Sequence, residues 1–303
     1  MDERQRAGLA EIIPYGIAFD FPMDKMTTYL VGGSAEVVCY PGELSALCRV
    51  VSYLGREEIP YVTVGKGSNL LVADKGVKGV VIVLKDRLAS VEAVGDEGNM
   101  ILAGGGLTIV DLLGYCRRIG LSGLEFMAGI PGTLGGAVIM NAGAYGQEIG
   151  KLVQEVLAVK ADGEPAVIGR EDMRFSYRSS SIPGGAVIYG ASLRLHCGDR
   201  DSIGELIAHN LKKRKEAQPL DYPSAGSVFK NPPGDYAGRL IEKAGLKGTR
   251  IGGAMISPRH GNFIVNTGTA TASDILGLIN LARDRVKEET GISLETEIVM
   301  LGD

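Results

Sequence analysis

The sequence predicts a mixed helix-and-strand protein of about two domains, organised around glycine-rich loops. Three observations carry that expectation. A length of 303 residues fits about two domains. Short apolar runs with strand spacing alternate with longer stretches whose apolar residues recur at helical spacing. Glycine accounts for 44 of the 303 residues, roughly twice its average share, and it clusters between apolar segments without a collagen period.

In chain order, residues 1–26 read as irregular, with Pro14 and Pro22, and lead through Met26–Ala35 to a strand at Glu36–Tyr40. Leu44, Leu47, Val50, Val51 and Leu54 mark one face of a helix that Gly55 is expected to end. Tyr61–Val64 and Leu70–Ala73 read as strands flanking the loop Gly65-Lys66-Gly67-Ser68-Asn69. Gly79–Leu84 and Met100–Ala103 are further strands. Gly104-Gly105-Gly106 then opens a helix with Thr108 as N-cap, a buried stripe from Ile109 to Ile119, and Gly120 as its stop. The uncharged stretch Gly129–Gly146 contains six glycines and reads as one loop. Leu152–Lys160 alternates as a strand should, and Asp162-Gly163 marks a hairpin turn. Phe175–Ser181 is polar and precedes the strand Ala186–Leu195. Helix Asp201–Ala217, the loop Asp221–Pro233, helix Asp235–Ala244, strand Phe263–Asn266, helix Ser273–Thr290 and a strand over Leu294–Leu301 complete the chain.

Composition excludes several classes. The net charge of −4 argues against a nucleic-acid surface, which shows as a basic domain or stripe; the cluster Lys212-Lys213-Arg214-Lys215 is local. No apolar run reaches the roughly 20 residues of a membrane span, and no secretory leader is evident. Cys39, Cys48, Cys116 and Cys197 are scattered without CxxC, and His196, His209 and His260 lack ligand spacing, so neither a metal nor a disulfide is expected. A reduced, cytoplasmic protein fits.

Two glycine loops stand out as phosphate cradles. Glycine lets backbone approach a ligand closely, and successive N–H groups make an anion-binding concavity. Gly65–Asn69 contains GKGS, but Lys66 is followed by glycine and then a strand, so it is not the P-loop, which opens a helix. No GxGxxG occurs, so a Rossmann dinucleotide site is unsupported. A small-residue turn packed under a sheet is the competing account of Gly129–Gly146, and a strand–strand turn that of Gly65–Asn69. Arg178, beside Tyr177, reads as a surface arginine or an anion anchor.

Five motifs in order, VGKGSNLLV, GIPGTLGGAVIMNAGAYG, YR, AGSVFKNP and LETEIVMLG, resemble the UDP-N-acetylenolpyruvoylglucosamine reductases over nearly the whole chain. The resemblance implies an α+β fold of the vanillyl-alcohol-oxidase/PCMH type: two FAD-binding subdomains, expected at 1–80 and 81–198, and a C-terminal substrate-binding domain at 199–303. It implies FAD held by Gly65, Lys66, Gly67, Ser68, Asn69 and Leu70, and by Gly129, Ile130, Pro131, Gly132, Gly135, Gly136, Asn141, Ala142 and Gly143; with no histidine in a motif for covalent attachment, the FAD is expected to be non-covalent. NADPH is the implied co-substrate and a UDP-sugar the implied substrate, with no nucleic-acid or membrane partner and a monomeric state.

The implied reaction reduces FAD with NADPH, then passes hydride to an enolpyruvyl ether. Arg178 and Glu297 would polarise the substrate carboxylate, Ser227 would donate the proton, and Lys215 and Asn231 would meet the diphosphate. Arginine suits a carboxylate because its fork binds bidentately. Glu297 can donate a hydrogen bond only while protonated. Strand alternation puts Glu295 on the same face as Glu297, so only the motif favours the latter. The 49 positions from Arg178 to Ser227 (227 − 178) match the class without an extra tyrosine-bearing loop. Val299 stands where some members carry arginine. His260 is either structural or part of the flavin or nicotinamide site. Another sugar or alcohol oxidase of this fold is the alternative enzyme; a non-catalytic nucleotide-binding protein is the alternative class.

Overall fold

The computed structural model describes residues 1–95 and 98–302. The chain forms two compact units, each drawn from separate stretches. The first comprises 1–19, 37–65 and 79–212; the second comprises 20–36, 66–78 and 213–303. Among the described residues three hydrophobic cores lie within them, two in the first unit and one in the second.

The first core of the first unit joins α1 (Glu3–Ile12) and α2 (Leu44–Arg56). Its helical stripe Leu47, Val50, Val51 and Leu54 is fully buried together with Leu9, each such side chain contributing about 1.5–3 kcal/mol. The strand order of the associated sheet is Ile17–Pro22, Ser34–Cys39, Val77–Ile82 and Tyr61–Thr63. Two expectations change here. Residues 1–26 are not irregular: Asp2 and Gln5 form a reciprocal capping box that starts α1, and a strand follows. Gly55 does not end α2, which runs on to Arg56; a Cβ at Gly55 would lie 2.7 Å from the Ala161 carbonyl oxygen, so close packing accounts for the glycine.

The second core is built on a five-stranded antiparallel sheet. Its order is Pro165–Gly169, Val153–Val159, Val187–Arg194, Met100–Gly104 and Val91–Val94. Side chains of α3 (Ile109–Ile119) and α4 (Leu134–Ile139) complete this core. Thr108 caps α3 by accepting from the Asp111 N–H, and Gly120, in the left-handed region at φ 76°, ends it. α5 (Arg200–Ala217) begins in this unit, and its last turn belongs to the second.

The second unit packs α6 (Ala237–Lys243) and α7 (Ala272–Thr290) with a three-stranded antiparallel sheet, Arg250–Ile251, Ala254–Ile256 and Ile264–Asn266. Ile275, Leu278, Ile279, Ala282 and Val286 form the buried stripe of α7. Tyr29, Val31 and Leu71 join the same core from early in the chain. Strand Val299–Leu301 pairs in parallel with Leu70–Val72. The expected strand Leu294–Leu301 is thus shorter; before it, Thr296 makes only an isolated bridge to Phe229. Among the described residues no helix is long and apolar enough to cross a membrane.

Asp74 reinforces the start of α7. Its Oδ1 accepts the Ala272 N–H at 2.8 Å, and its Oδ2 accepts the Ser273 N–H at 2.9 Å and hydroxyl at 2.6 Å. Partial burial pushes this carboxyl up, but the Ser273 hydroxyl and the two N–H groups outweigh it and hold the pKa below its ordinary value. Asp74→Ala is expected to cost about 1 kcal/mol, the usual worth of a helix cap. It should appear as a lower urea midpoint at unchanged slope; an unchanged midpoint would show the cap to be redundant with Thr271.

Candidate active site

Within the first unit, the glycine-rich stretch is not one loop. Gly132 through Gly135 pair with the segment after Gly104: the Ile109 N–H donates to the Gly132 oxygen, the Leu134 N–H to Leu107 and the Gly135 N–H to Gly105. Helix α4 follows. The chain then turns through Asn141, at φ 42°, into a hairpin of Gly143–Ala144 and Gln147–Glu148. Its two turn residues, Tyr145 and Gly146, have φ of 54° and 77°, the type I′ geometry that matches strand twist.

Packing separates the glycines that the fold needs from one that it does not. A Cβ at Gly105 would lie 2.2 Å from the Ile188 oxygen, and one at Gly65 2.4 Å from Thr133 Oγ1. Those positions are closed by the protein itself. Gly136 is different: it is exposed, lies inside α4, and a Cβ there would meet only Thr133 Oγ1, at 3.8 Å. Alanine at such a position would favour the helix by about 1 kcal/mol. The protein keeps an open backbone surface there at the expense of helix propensity, and packing within the protein does not account for the glycine.

Asn141 is fully buried, and its carboxamide is committed within the protein. Nδ2 donates to Glu148 Oε2 and to the Ser176 carbonyl, both at 2.9 Å, and Oδ1 accepts the Gly150 N–H at 3.0 Å. Expected as a cofactor contact, this side chain instead braces the hairpin that carries Arg178. In that hairpin Phe175 pairs with Ser180 and Ser176 with Ser179, leaving Tyr177-Arg178 as a two-residue turn. Arg178 sits at φ 55°, a region costly for a side-chain-bearing residue and enriched at functional sites. Its Nη2 donates to the Gly143 carbonyl at 3.1 Å, and its guanidinium lies over the Tyr177 ring at 5.0 Å. The glycine-rich stretch and Arg178 therefore share one local framework.

The second unit brings together three predicted stretches. Gly67 has φ 60°, and a Cβ there would lie 2.1 Å from the Met26 oxygen, so only glycine fits. Two residues on, Asn69 Nδ2 donates to the Glu297 carbonyl at 3.0 Å, and the Asn69 carbonyl accepts the Val299 N–H at 2.9 Å. The Glu297 N–H donates to the Val228 oxygen at 2.8 Å. Lys66–Leu70, the residue after Ser227, and Glu297 are thus stitched into one junction. Ser227 and Glu297 are both half-buried.

The structure also separates the two glutamates that alternation could not. Because no regular strand runs through them, Glu295 turns outward, exposed and bridged to Lys230 Nζ at 2.6 Å, while Glu297 stays half-buried. Asn231 Oδ1 accepts the Ala237 N–H at 3.0 Å and so starts α6. Lys215 is exposed near the end of α5, and its carbonyl accepts from Arg259 at 3.4 Å. His260 is structural in its bonding: Nδ1 accepts the Asn262 N–H at 3.2 Å, and the ring meets Phe263 edge-on at 4.8 Å between centroids. Among the described residues no group of histidine, cysteine and acidic side chains is placed to hold a metal ion.

The likenesses of the chain define its class first, an FAD-binding protein of mixed helix-and-strand, vanillyl-alcohol-oxidase type. A profile of the FAD binding domain family matches residues 35–169. The structure of 4-ethylphenol oxidase from Gulosibacter chungangensis shares the fold at a TM-score of 0.50 and 16% identity, over 98% of this chain and 66% of that one. The C-terminal third carries the finer assignment, since residues 218–301 match the profile described as UDP-N-acetylenolpyruvoylglucosamine reductase, C-terminal domain. The reductase of that name from Caldanaerobacter subterraneus is 42% identical over 97% of each chain. The one from Bacillus licheniformis is 43% identical over 93% of each chain. The crystal structure of the Thermus caldophilus enzyme superposes at a TM-score of 0.81 with 38% identity, covering 94% of this chain and 98% of that one. The chain belongs to the UDP-N-acetylenolpyruvoylglucosamine reductase family.

Two measurements check this site. Gly136→Ala should leave the FAD-free protein as stable or up to about 1 kcal/mol more stable while weakening FAD binding, read by thermal melts and by quenching of flavin fluorescence; unaltered FAD affinity would remove Gly136 from the cradle. Burial holds the His260 imidazole below its ordinary value. The unfolded chain therefore takes up that proton first as pH falls below about 6.5, and stability drops across the window down to the folded value while staying flat above it. The difference in melting temperature between about pH 7.5 and about pH 5.5 should shrink in His260→Gln.

Proposed function

We propose that this chain performs its family's reaction with Arg178, Ser227 and Glu297 as the groups acting on substrate. The reaction is the NADPH-dependent reduction of the enolpyruvyl group of a UDP-N-acetylglucosamine ether to a lactyl ether, a step of peptidoglycan precursor synthesis. The bound flavin supplies two-electron hydride exchange between NADPH and the substrate. The residues that would hold it are Lys66–Leu70 from one stretch and Gly129–Gly136 with Ala142 and Gly143 from the other, with Asn141 bracing the second.

Each remaining role follows from the side chain's chemistry. As the vinyl group gains hydride, negative charge develops toward the neighbouring carboxylate. The Arg178 fork can meet that carboxylate with two parallel N–H groups. A preorganised donor of this kind is worth about 2.7–4 kcal/mol in comparable charge-stabilising sites. Glu297, protonated, would add a second donor. Ser227 Oγ–H would deliver the proton to the adjacent carbon. Lys215 offers a point charge to the diphosphate. Asn231 would contribute there while its Oδ1 keeps the start of α6 in place. The observation that carries this reading is the junction of Asn69, Val228 and Glu297. It makes a flavin-loop residue, the peptide next to the proton donor and the peptide of the polarising carboxyl members of one hydrogen-bonded unit.

Among the described residues Cys39, Cys48, Cys116 and Cys197 are all unpaired, which supports a reducing, cytoplasmic setting. Anaerobic half-reactions test the assignment. Ser227→Ala should bleach with NADPH at the wild-type rate, while its reoxidation by the enolpyruvyl UDP-sugar slows by about 10²–10⁴-fold, the usual worth of a positioned proton donor. Parallel loss of both half-reactions, or wild-type reoxidation, would sink the role given to Ser227.

A further inference from the structure

No motif marks Asn262, yet it makes the bonds that hold the segment following Ser227. It lies in the turn after His260 and is 4% exposed. Its backbone oxygen accepts the Val228 N–H at 2.9 Å. Its Oδ1 accepts the Phe229 N–H at 2.9 Å, and its Nδ2 donates to the Phe229 carbonyl at 2.7 Å. The carboxamide thus pairs with the Phe229 peptide as a neighbouring strand residue would, although no strand is present on either side. The middle of the clamped segment, Val228, is the residue whose oxygen accepts the Glu297 N–H. Asn262 is itself held through its own N–H by His260 Nδ1. Arg259, in the same turn, donates to the carbonyls of Lys215 and Gln218.

We infer that Asn262 is the positioning residue for Ser227: its carboxamide fixes the Val228–Phe229 backbone, and with it the reach of Ser227 and the anchorage of Glu297. The inference rests on the reading of Ser227 as proton donor. Asparagine is suited because one short side chain must accept from an N–H and donate to a C=O at once. Aspartate keeps the acceptor and loses the donor, leaving the buried Phe229 carbonyl without its partner. Leucine matches the shape and offers neither group. The turn Ser257–Asn262 would then act as a single frame, with Arg259 ordering the end of α5 that bears Lys215 and Asn262 ordering the loop that bears Ser227.

The FAD-loaded protein is examined as wild type, Asn262→Asp and Ser227→Ala. Asn262→Asp is expected to bind FAD and be reduced by NADPH within about twofold of wild type. Reoxidation at saturating UDP-sugar should slow by about tenfold or more, the scale of a sub-ångström misplacement, with the sugar's dissociation constant unchanged. Hydrogen exchange of the Val228 and Phe229 amides should accelerate by about tenfold or more, a readout independent of turnover. Should Asn262→Asp fail to fold, Asn262→Ser, which keeps one hydrogen-bonding group, is read in the same way. Wild-type reoxidation in the Asn262 variant beside slow reoxidation in Ser227→Ala would overturn the inference and leave the function intact. So would a parallel fall of FAD binding and both half-reactions. Wild-type reoxidation in Ser227→Ala would instead overturn the proton-donor reading beneath it.

Discussion

The peptide of Glu297 is held at both ends, and the second unit is arranged around that constraint. Its N–H is fixed on Val228 and its carbonyl on Asn69. Net, each such bond is worth only about 0.5–1.5 kcal/mol, but a buried polar group left unmade costs about 1–3 kcal/mol. The arrangement therefore penalises displacement of any one of the three strands of chain. It also explains why the early stretch around Leu70–Val72 pairs with Val299–Leu301 in parallel: that register is what brings Asn69 to Glu297. A carboxyl on a freely moving C-terminal tail could not be oriented; one whose flanking peptide is bonded on both sides can be.

The first unit solves a related problem with a different device. The Asn141 carboxamide uses both hydrogens and its oxygen on two separate segments, at Glu148 and Gly150 on one and Ser176 on the other. Buried amides with complete bonding specify geometry because any alternative arrangement strands a polar atom in a dry interior. The arrangement it enforces places Arg178 at a hairpin tip in a left-handed backbone conformation. Such a conformation persists only where its surroundings over-determine it, and the bond from Arg178 to Gly143 contributes to that. Each unit thus uses a buried asparagine, Asn141 in one and Asn262 in the other, to hold the segment bearing a polar group assigned to the chemistry.

Much of this was legible in the sequence, for physical reasons that differ by residue. The stripes of α2, α3 and α7 follow from apolar spacing, and Thr108 and Gly120 mark the ends of α3 because capping chemistry is local. The first strand and helix escaped because α1 buries only Leu9, which leaves little periodicity to see. The glycine-rich stretch reads as one loop because glycine favours turns and close backbone approach over helix. In the structure Gly135 and Gly136 lie within a helix, and Gly105 and Gly65 are small because neighbouring atoms crowd them. Glu295 and Glu297 were inseparable by alternation because alternation presumes a regular strand, and the chain there makes only a single bridge. Asn262 had no sequence signal at all. Its importance lies in pairing with Phe229, 33 residues away, and an amide mimicking a peptide leaves no pattern in its own neighbourhood.

The two glycine clusters finally answer the question of whether small residues mean a ligand or merely tight packing: the answer is residue by residue. Where an added Cβ would strike backbone, as at Gly67 and Gly105, the fold alone demands glycine and the position says nothing about a ligand. Where it would strike nothing closer than 3.8 Å, as at Gly136, the fold would be better served by alanine. The informative glycine is therefore the one whose absence of a side chain the protein itself does not use. By that criterion Gly136 in α4 is the glycine of the stretch that packing leaves unexplained. The crowded glycines beside it hold that surface in place, just as the bonded amides of Asn141 and Asn262 hold the segments next to Arg178 and Ser227.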